Sequence, residues 1–231
     1  MYQKGVLTMR RFILPGLFGL LFAFVVLAPS GKQTEASHVD PILFVHGYTS
    51  NAGTWNTVIS RFQADGWESN RLFAYTFSST KSNALIAQDI AARVNEIKAA
   101  TGAAKVDIIT HSMGGLSSRY YLKNLGGTAN VDDWVSLAGP NHGTSWAYGC
   151  FFFSPCNQMI PGSSFLNGLN SGDETPGAVN YGTWWSSCDE LINPDTSTIL
   201  SGATNTNVGC LSHSGVKDSA AVYAQVREFV R

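Results

Sequence analysis

The chain has 231 residues, of which 44% are hydrophobic and only 13% are charged. Disordered chains have the opposite balance, so this composition excludes disorder for most of the chain and, at this length, favours a single domain. Fifteen Lys and Arg nearly balance sixteen Asp and Glu, and no basic run exceeds two residues. We therefore expect no nucleic-acid partner, because such binding needs clustered positive charge.

Residues 1–36 have the pattern of a cleavable secretory signal peptide. Basic residues precede an uncharged apolar run over 12–28, and a mainly polar stretch follows as far as Ala36. The alternative is an uncleaved membrane anchor, but the run is short for a membrane span and contains Pro and Gly. The sequence thus predicts a signal peptide over 1–36, a single domain over 37–231, and a secreted, extracellular protein.

From residue 42 onward, short apolar runs alternate with helical patterns. Continuous apolar runs without polar alternation are typical of strands buried on both faces of a parallel sheet. Strands are predicted at 42–45, 72–77, 106–110 and 134–138. Apolar residues at helical spacing predict intervening helices around 55–62, 86–97 and 113–125. This order is that of an α/β protein with a mostly parallel central sheet and helices on both faces.

The regular pattern is lost over 139–176, a stretch rich in Gly, Ser, Asn and Phe, as in a functional loop or lid. Its aromatic residues, Trp146 and 151–153, either form an exposed apolar rim or pack inward. Further strands are predicted at 178–186 and 198–203, and a last helix from about Val216.

The third strand runs into the segment Thr110–Gly115 and then directly into a helix. A serine on a tight turn between a strand and a helix is typical of a nucleophile elbow, which identifies Ser112 as the predicted nucleophile. Gly114 provides the small residue that the turn needs, whereas Thr110 stands where Gly is most common. The alternative is that Ser112 merely caps the helix.

The first strand ends at His46-Gly47-Tyr48. In this position a loop donates one backbone N–H to an oxyanion hole, and the residue after the nucleophile donates another. The predicted donors are Tyr48 and Met113.

The general base is predicted from chain order. In the order Ser, Asp, His the base comes last, and His213 is the histidine that follows Ser112 late in the chain. The remaining histidines precede the nucleophile or lie within the motifs and the loop after the fourth strand: His38, His46, His111 and His142.

The acid must lie between Ser112 and His213, at the carboxyl end of a strand. The acidic residues in that interval are Asp132, Asp133, Asp173, Glu174, Asp189, Glu190 and Asp195. Asp189 fits best because it directly follows a predicted strand, and Asp195 is the alternative. The role of the acid is to hold the His213 imidazole in the correct tautomer.

Four cysteines allow three disulfide pairings. Because Asp189 and His213 must approach each other, Cys188 and Cys210 beside them are predicted to pair. This pairing leaves Cys150 and Cys156 to close a small loop. The cysteine spacings match no zinc pattern, so no metal site is predicted.

Four segments together resemble the class 2 family of small secreted bacterial triacylglycerol lipases, within the α/β-hydrolase superfamily. They lie in the family's order and span most of the chain after residue 36: Phe44–Tyr48, Thr110–Gly115, Pro140–Thr144 and Ser187–Pro194. The resemblance implies an α/β-hydrolase fold, a Ser112–Asp189–His213 triad, ester hydrolysis without a cofactor, and little or no lid.

The function expected from these features is the hydrolysis of acylglycerol esters at an oil–water interface by a monomer that needs no cofactor and no stable protein partner. A cutinase-like polyesterase or a short-chain carboxylesterase would use the same chemistry. A secreted binding module that keeps the fold without turnover is the alternative from a different class, and the intact triad pattern argues against it.

Overall fold

The computed structural model describes Met1, residues 40–78 and residues 80–231. The chain divides into two units, Met1–Ala36 and Ser37–Arg231, and every feature below belongs to the second. Apart from Met1, the predicted signal peptide lies outside the described residues and stays a prediction. Among the described helices, none combines the length and the apolar character that a membrane span requires.

A six-stranded sheet with every neighbouring pair parallel forms the centre of the fold. The strand order across the sheet is β2-β1-β3-β4-β5-β6. In chain order the strands are β1 (Ile42–Val45), β2 (Leu72–Ala74), β3 (Val106–His111), β4 (Val131–Leu137), β5 (Asn180–Trp185) and β6 (Thr204–Asn207). The predicted α/β class with a parallel central sheet is confirmed.

Helices cover both faces of the sheet. They are α1 (Asn56–Ala64), α2 (Asn83–Thr101), α3 (Gly114–Asn124), α4 (Ser154–Met159), α5 (Ser164–Asn170), α6 (His213–Asp218) and α7 (Ala220–Phe229). Alternate residues of β1 enter two separate apolar cores. Leu43 and Val45 pack on the side of α2 and α3, whereas Ile42 and Phe44 pack on the side of α1 and α7. This two-sided burial explains the continuous apolar runs in the strands.

Helix α2 shows how local sequence sets element boundaries. The Ser82 side chain accepts a hydrogen bond from the Leu85 N–H at its start, and Gly102, with φ of 70°, ends it. Its buried face consists of the residues that the helical spacing predicts, namely Ile86, Ile90, Val94 and Ile97.

Both edge strands differ from the prediction. Strand β2 ends at Ala74, and the Phe77 N–H donates to a side chain, His46 Nε2, at 2.9 Å. Strand β6 lies at Thr204–Asn207 and not at 198–203, a range that follows the 3-10 segment Asp195–Thr198 and contains a turn before β6. The side chains of β6 are polar and mostly exposed, so the strand lacks the apolar pattern on which the prediction depended.

The region 139–176 is partly helical and not irregular throughout. It contains a 3-10 segment, Ser145–Cys150, followed by α4 and α5. These helices have six and seven residues, too few to show a periodic apolar face, and their Ser, Asn and Gly are weak helix formers. Helix α5 is stabilised by capping instead, because the Ser163 side chain accepts a hydrogen bond from the Leu166 N–H at its start.

The C-terminal helix is also different, because it is split at Ser219 into α6 and α7. His213 is therefore the first residue of a short helix, with Ser212 as its N-cap, and not part of a loop. Strand β4 begins at Val131, earlier than predicted, so Asp132 and Asp133 lie within it rather than before it.

Two buried carboxyl groups lie in neighbouring strands, away from the carboxyl ends of the strands. The Asp133 N–H donates to Asp107 Oδ1 at 3.1 Å, and Asn180 Nδ2 donates to Asp133 Oδ1 at 2.9 Å. Burial raises the pKa of Asp133 to about 6 and that of Asp107 well above its ordinary value, and the nearby Asp132 and Asp40 add to both shifts. Ionisation of this pair therefore costs native-state stability.

We expect Asp133→Asn to stabilise the protein at pH 8 by about 3 kcal/mol, since each pKa unit corresponds to about 1.4 kcal/mol. Because the native pKa is raised, the wild-type protein loses this stability as the pH rises from about 4 through about 6. Asparagine keeps the oxygen that accepts from Asn180 and has no charge to bury. Urea unfolding at pH 4 and pH 8 measures the difference, and an equal effect at both pH values would contradict the assignment.

Candidate active site

The predicted site residues converge at the carboxyl ends of the strands, where α/β proteins bind ligands. The loop after β1 contains Gly47 and Tyr48, Ser112 follows β3, Asp189 follows β5, and His213 lies beyond β6. A cavity of about 230 Å³ opens at this edge, and its lining includes Tyr48, Ser112 and His213.

Ser112 stands on a strained turn between β3 and α3. Its φ is 55°, a left-handed conformation that residues with a side chain rarely adopt. The turn is fixed by two backbone hydrogen bonds, from the Ser112 N–H to Leu137 O at 2.9 Å and from the Gly115 N–H to Ser112 O at 3.0 Å. Strain of this kind is typical of functional sites, and a helix-capping serine does not require it.

Two glycines allow the loop after β1 to approach this turn. A Cβ atom at Gly114 would lie 2.6 Å from Val45 O, and one at Gly47 would lie 2.8 Å from Ser112 Cβ. Thr110 is compatible with the turn because its hydroxyl points to the neighbouring strand, where it donates to Val135 O at 2.8 Å.

Asp189 and His213 form a buried pair. His213 Nδ1 lies 3.0 and 2.9 Å from the two carboxylate oxygens, and their side chains are only 6% (His213) and 2% (Asp189) exposed. The backbone N–H groups of Leu191 and Ile192 also donate to Asp189 Oδ1. Burial raises the pKa of Asp189, but the hydrogen bonds outweigh it and leave this pKa below its ordinary value. An ionised Asp189 accepts from Nδ1–H, which leaves His213 Nε2 free to accept a proton.

Two residues that the sequence analysis did not assign to the site hold the backbone of His213. Glu190 Oε2 accepts from the His213 N–H at 2.9 Å, and His111 Nε2 donates to His213 O at 3.1 Å. The two imidazole rings are 4.6 Å apart. Burial lowers the pKa of His111 to about 3, so His111 stays neutral beside His213. These contacts depend on tertiary structure, and no sequence motif indicates them.

Ser112 and His213 line the same cavity, but no hydrogen bond joins them among the described residues. In proteins without substrate such bonds are often long and shorten only on binding. The backbone N–H groups of Tyr48 and Met113, predicted to form the oxyanion hole, likewise have no acceptor within the described part of the chain.

Three other acidic residues of the interval lie away from His213. Asp195 Oδ1 accepts from the Thr196 N–H, Asp173 Oδ1 accepts from the Thr175 N–H, and Glu174 bonds to His142. Each therefore stabilises a local turn or loop and does not contact His213.

The other histidines have structural partners or lie outside the description. His46 Nδ1 donates to Gly47 O and its Nε2 accepts from the Phe77 N–H, so His46 holds the loop after β1. His142 bonds to Ser197 and Glu174 and orders its loop. His38 lies outside the described residues.

The cysteines pair as the sequence analysis predicts. Cys188–Cys210 joins the segment of Asp189 to the segment of His213, with a Cα–Cα distance of 4.8 Å, and Cys150–Cys156 closes the smaller loop. Ser186 strengthens the first link, because its Oγ donates to Leu211 O at 2.6 Å. Within the described residues, no group of three or more His, Cys, Asp or Glu is arranged to hold a metal ion.

A parallel sheet with a serine on a strained turn after its third strand and an Asp–His pair at the same edge defines the class of α/β-hydrolases. Within that class, the class 2 lipase family model matches residues 39–224, so the chain belongs to this family. The resemblance found in the sequence is thereby confirmed. Membership makes the protein a lipolytic ester hydrolase.

Solved structures agree on the fold. Lipase B of Aspergillus fumigatus is 21% identical, with a TM-score of 0.71, over 86% of this chain and 54% of its own, so this chain spans about half of that protein. The mature lipase BlEst2 of Bacillus licheniformis is 17% identical, with a TM-score of 0.71, over 84% and 93%. Phospholipase PlaB of Legionella pneumophila is 15% identical, with a TM-score of 0.70, over 83% and 58%.

We expect Gly114→Ala to abolish activity and to lower the melting temperature, because its methyl group would meet Val45 O at 2.6 Å. Gly168→Ala is the matched control, since a Cβ there meets nothing within 4 Å and alanine favours helix α5. Calorimetry and a soluble ester assay measure both variants. If the two variants behaved alike, the close approach at Gly114 would not matter.

We expect the Cys188→Ser, Cys210→Ser variant to lose activity even below its melting temperature, because Asp189 and His213 lie on the two linked segments. The Cys188–Cys210 disulfide also closes the longer loop, with a sequence separation of 22 residues against 6 for Cys150–Cys156. In the chain-entropy model, closing the longer loop contributes about 3 kcal/mol to the stability of the fold. The Cys150→Ser, Cys156→Ser variant should keep its activity on small soluble esters. Equal losses of this activity in both variants would show that Cys188–Cys210 has no specific effect on the site.

Proposed function

We propose that the protein is a secreted serine lipase that hydrolyses acylglycerol esters through Ser112, His213 and Asp189. The observation that carries this proposal is the buried Asp189–His213 pair at the cavity where Ser112 stands on its strained turn. Membership of the class 2 lipase family supports ester hydrolysis as the reaction.

In the first half of the reaction, Ser112 Oγ attacks the ester carbonyl carbon while His213 Nε2 takes the hydroxyl proton. The carbonyl oxygen becomes an anion, which the backbone N–H groups of Tyr48 and Met113 stabilise. Asp189 stabilises the imidazolium that forms on His213. Collapse of the tetrahedral intermediate breaks the ester C–O bond, and His213 gives its proton to the departing alcohol oxygen.

In the second half, water attacks the carbonyl carbon of the acyl-enzyme. His213 takes a proton from the water and returns it to Ser112 Oγ as the C–O bond to the enzyme breaks. The fatty acid leaves, and the serine hydroxyl is restored. All proton transfers pass through His213, whose orientation Asp189 controls.

The cavity lining supports an acyl substrate, because Trp146, Met159, Leu191 and Ile192 provide apolar surface beside Ser112. Its volume of about 230 Å³ lies somewhat below the usual range for ligand pockets. This small volume favours a second candidate, a short-chain carboxylesterase or a cutinase-like polyesterase that uses the same residues.

The proposed location is extracellular. Two disulfides form and persist in oxidising environments outside the cytosol, which agrees with the signal peptide predicted over residues 1–36.

We expect Ser112→Ala to remove turnover while the protein remains folded, with a loss of at least about 10³-fold in kcat. A p-nitrophenyl phosphonate should label Ser112 in the wild-type chain, with release of p-nitrophenol, and should not label the variant. Circular dichroism controls for folding. Labelling of another residue, or retained activity, would refute the assignment of the nucleophile.

We expect Asp189→Asn to lower kcat by about 10³–10⁴-fold, because asparagine cannot hold the required tautomer of His213. Asp195→Asn is the matched control and should change activity little, since Asp195 bonds only locally. The reverse ranking would move the acid to Asp195.

The substrate class is tested with p-nitrophenyl esters of increasing acyl length, emulsified triolein, and phosphatidylcholine. Phosphatidylcholine is included because one structural neighbour is a phospholipase. A lipase should hydrolyse triolein and the long esters, whereas activity confined to the shortest esters would favour the carboxylesterase.

A further inference from the structure

We propose that five exposed aromatic side chains form a docking surface for electrically neutral lipid. Trp146, Tyr148, Phe151, Phe152 and Phe153, here called the aromatic surface, are 43%, 58%, 47%, 84% and 58% exposed. This inference rests on the proposed function for the substrate and extends it to the way in which the enzyme reaches that substrate.

Exposure on this scale is unusual for a single protein in water. Contiguous apolar surface of this kind marks interaction sites, because burying a large apolar side chain is favourable by roughly 1.5–3 kcal/mol. The rings of Phe151 and Phe152 lie against each other, with centroids 3.8 Å apart, and still remain exposed. The alternative that these aromatics pack inward is therefore wrong.

The fold holds these side chains outward. Cys150 and Cys156 flank the three phenylalanines and are joined by a disulfide, and the side chain of Cys156 is fully buried in the core beside Met159. Because the disulfide fixes both ends of this short loop, it restricts how far the phenylalanines can move from their exposed positions.

The aromatic surface reaches the cavity through one of its residues. Trp146 lines the cavity and packs edge-on against Tyr48, with ring centroids 6.4 Å apart. An ester that leaves a lipid layer at this surface therefore lies beside Ser112. A protein bound permanently here would block that route, which favours lipid over a protein partner.

The charge pattern selects the kind of lipid. The chain contains no Asp, Glu, Lys or Arg between Asp133 and Asp173, and this segment includes the whole aromatic surface. Binding to anionic membranes relies on clustered Lys and Arg. Without them, the surface fits a lipid layer of no net charge, into which aromatic side chains insert.

The test measures partitioning onto phosphatidylcholine vesicles by co-flotation, with every variant in a Ser112→Ala background so that lipid is not consumed. The test variant is Phe152→Ser with Phe153→Ser. The control is Leu125→Ser, which removes another exposed apolar side chain, at the far end of α3 from Ser112. All proteins are collected from the same secreting host, and mass spectrometry verifies that they have the same N-terminus, so residues 1–36 do not differ between them.

We expect the double variant to lose about tenfold or more in partition constant, and Leu125→Ser to lose little. Binding should not change with salt or with added phosphatidylglycerol. The proposal is overturned if the double variant binds as tightly as its parent, if binding requires phosphatidylglycerol, or if ultracentrifugation shows that the surface instead joins two copies of the chain.

A second measurement separates this proposal from the proposed function. With Ser112 intact, the double variant should hydrolyse a soluble short ester as the parent does but lose activity on emulsified triolein. Vesicle binding without any ester hydrolysis would refute the proposed function and leave the docking surface standing. Loss of both activities in parallel in a folded variant would refute the docking surface. If the double variant does not fold, Phe152→Ser alone is the test variant.

Discussion

At Gly114 the chain has no room for a single methyl group, because the carbonyl oxygens of Val45 and His46 would lie 2.6 and 2.8 Å from it. Gly47 meets the same limit against Ser112 from the other side. This close approach sets the distance between β1 and β3 at their carboxyl ends, and it holds Ser112 in its left-handed conformation. The position of the proposed oxyanion donors, Tyr48 and Met113, follows from it, since each is adjacent to one of the two glycines.

The acid and the base reach the same edge from a different part of the chain, and their position is maintained by other means. Asp189 is held by backbone N–H groups of its own loop, and His213 is held through its backbone by Glu190 and His111. The Cys188–Cys210 disulfide and the Ser186 hydroxyl join the two segments. The site thus consists of a steric half around Ser112 and a hydrogen-bonded half around His213, which meet at one cavity.

The parts of this structure that sequence predicts well are those in which local pattern and tertiary environment agree. Strands β1 and β3 are buried on both faces, so their composition alone reveals them, and α2 has both a cap and a periodic face. Strand β6 is exposed, polar and at the sheet edge, and α4 and α5 are too short to show a period. For such elements the stabilising contacts are made with distant residues, which no short window of sequence contains.

The same distinction applies to the site. Ser112 and the glycines lie in one short motif, and chain order leads to His213 and Asp189. The contact of His111 with the His213 carbonyl joins residues 102 positions apart, and His111 appears in the sequence only as a neighbour of Ser112. Its identity as a support for the base becomes visible only when β3 and α6 are placed side by side.

The disulfide beside the Asp189–His213 pair has a consequence for where this chain can act. Thiols stay reduced in the cytosol, so in such an environment the segments of Asp189 and His213 would be joined only by non-covalent contacts. Oxidation outside the cytosol adds the covalent link between them. The covalent organisation of the acid and base segments therefore depends on an oxidising environment.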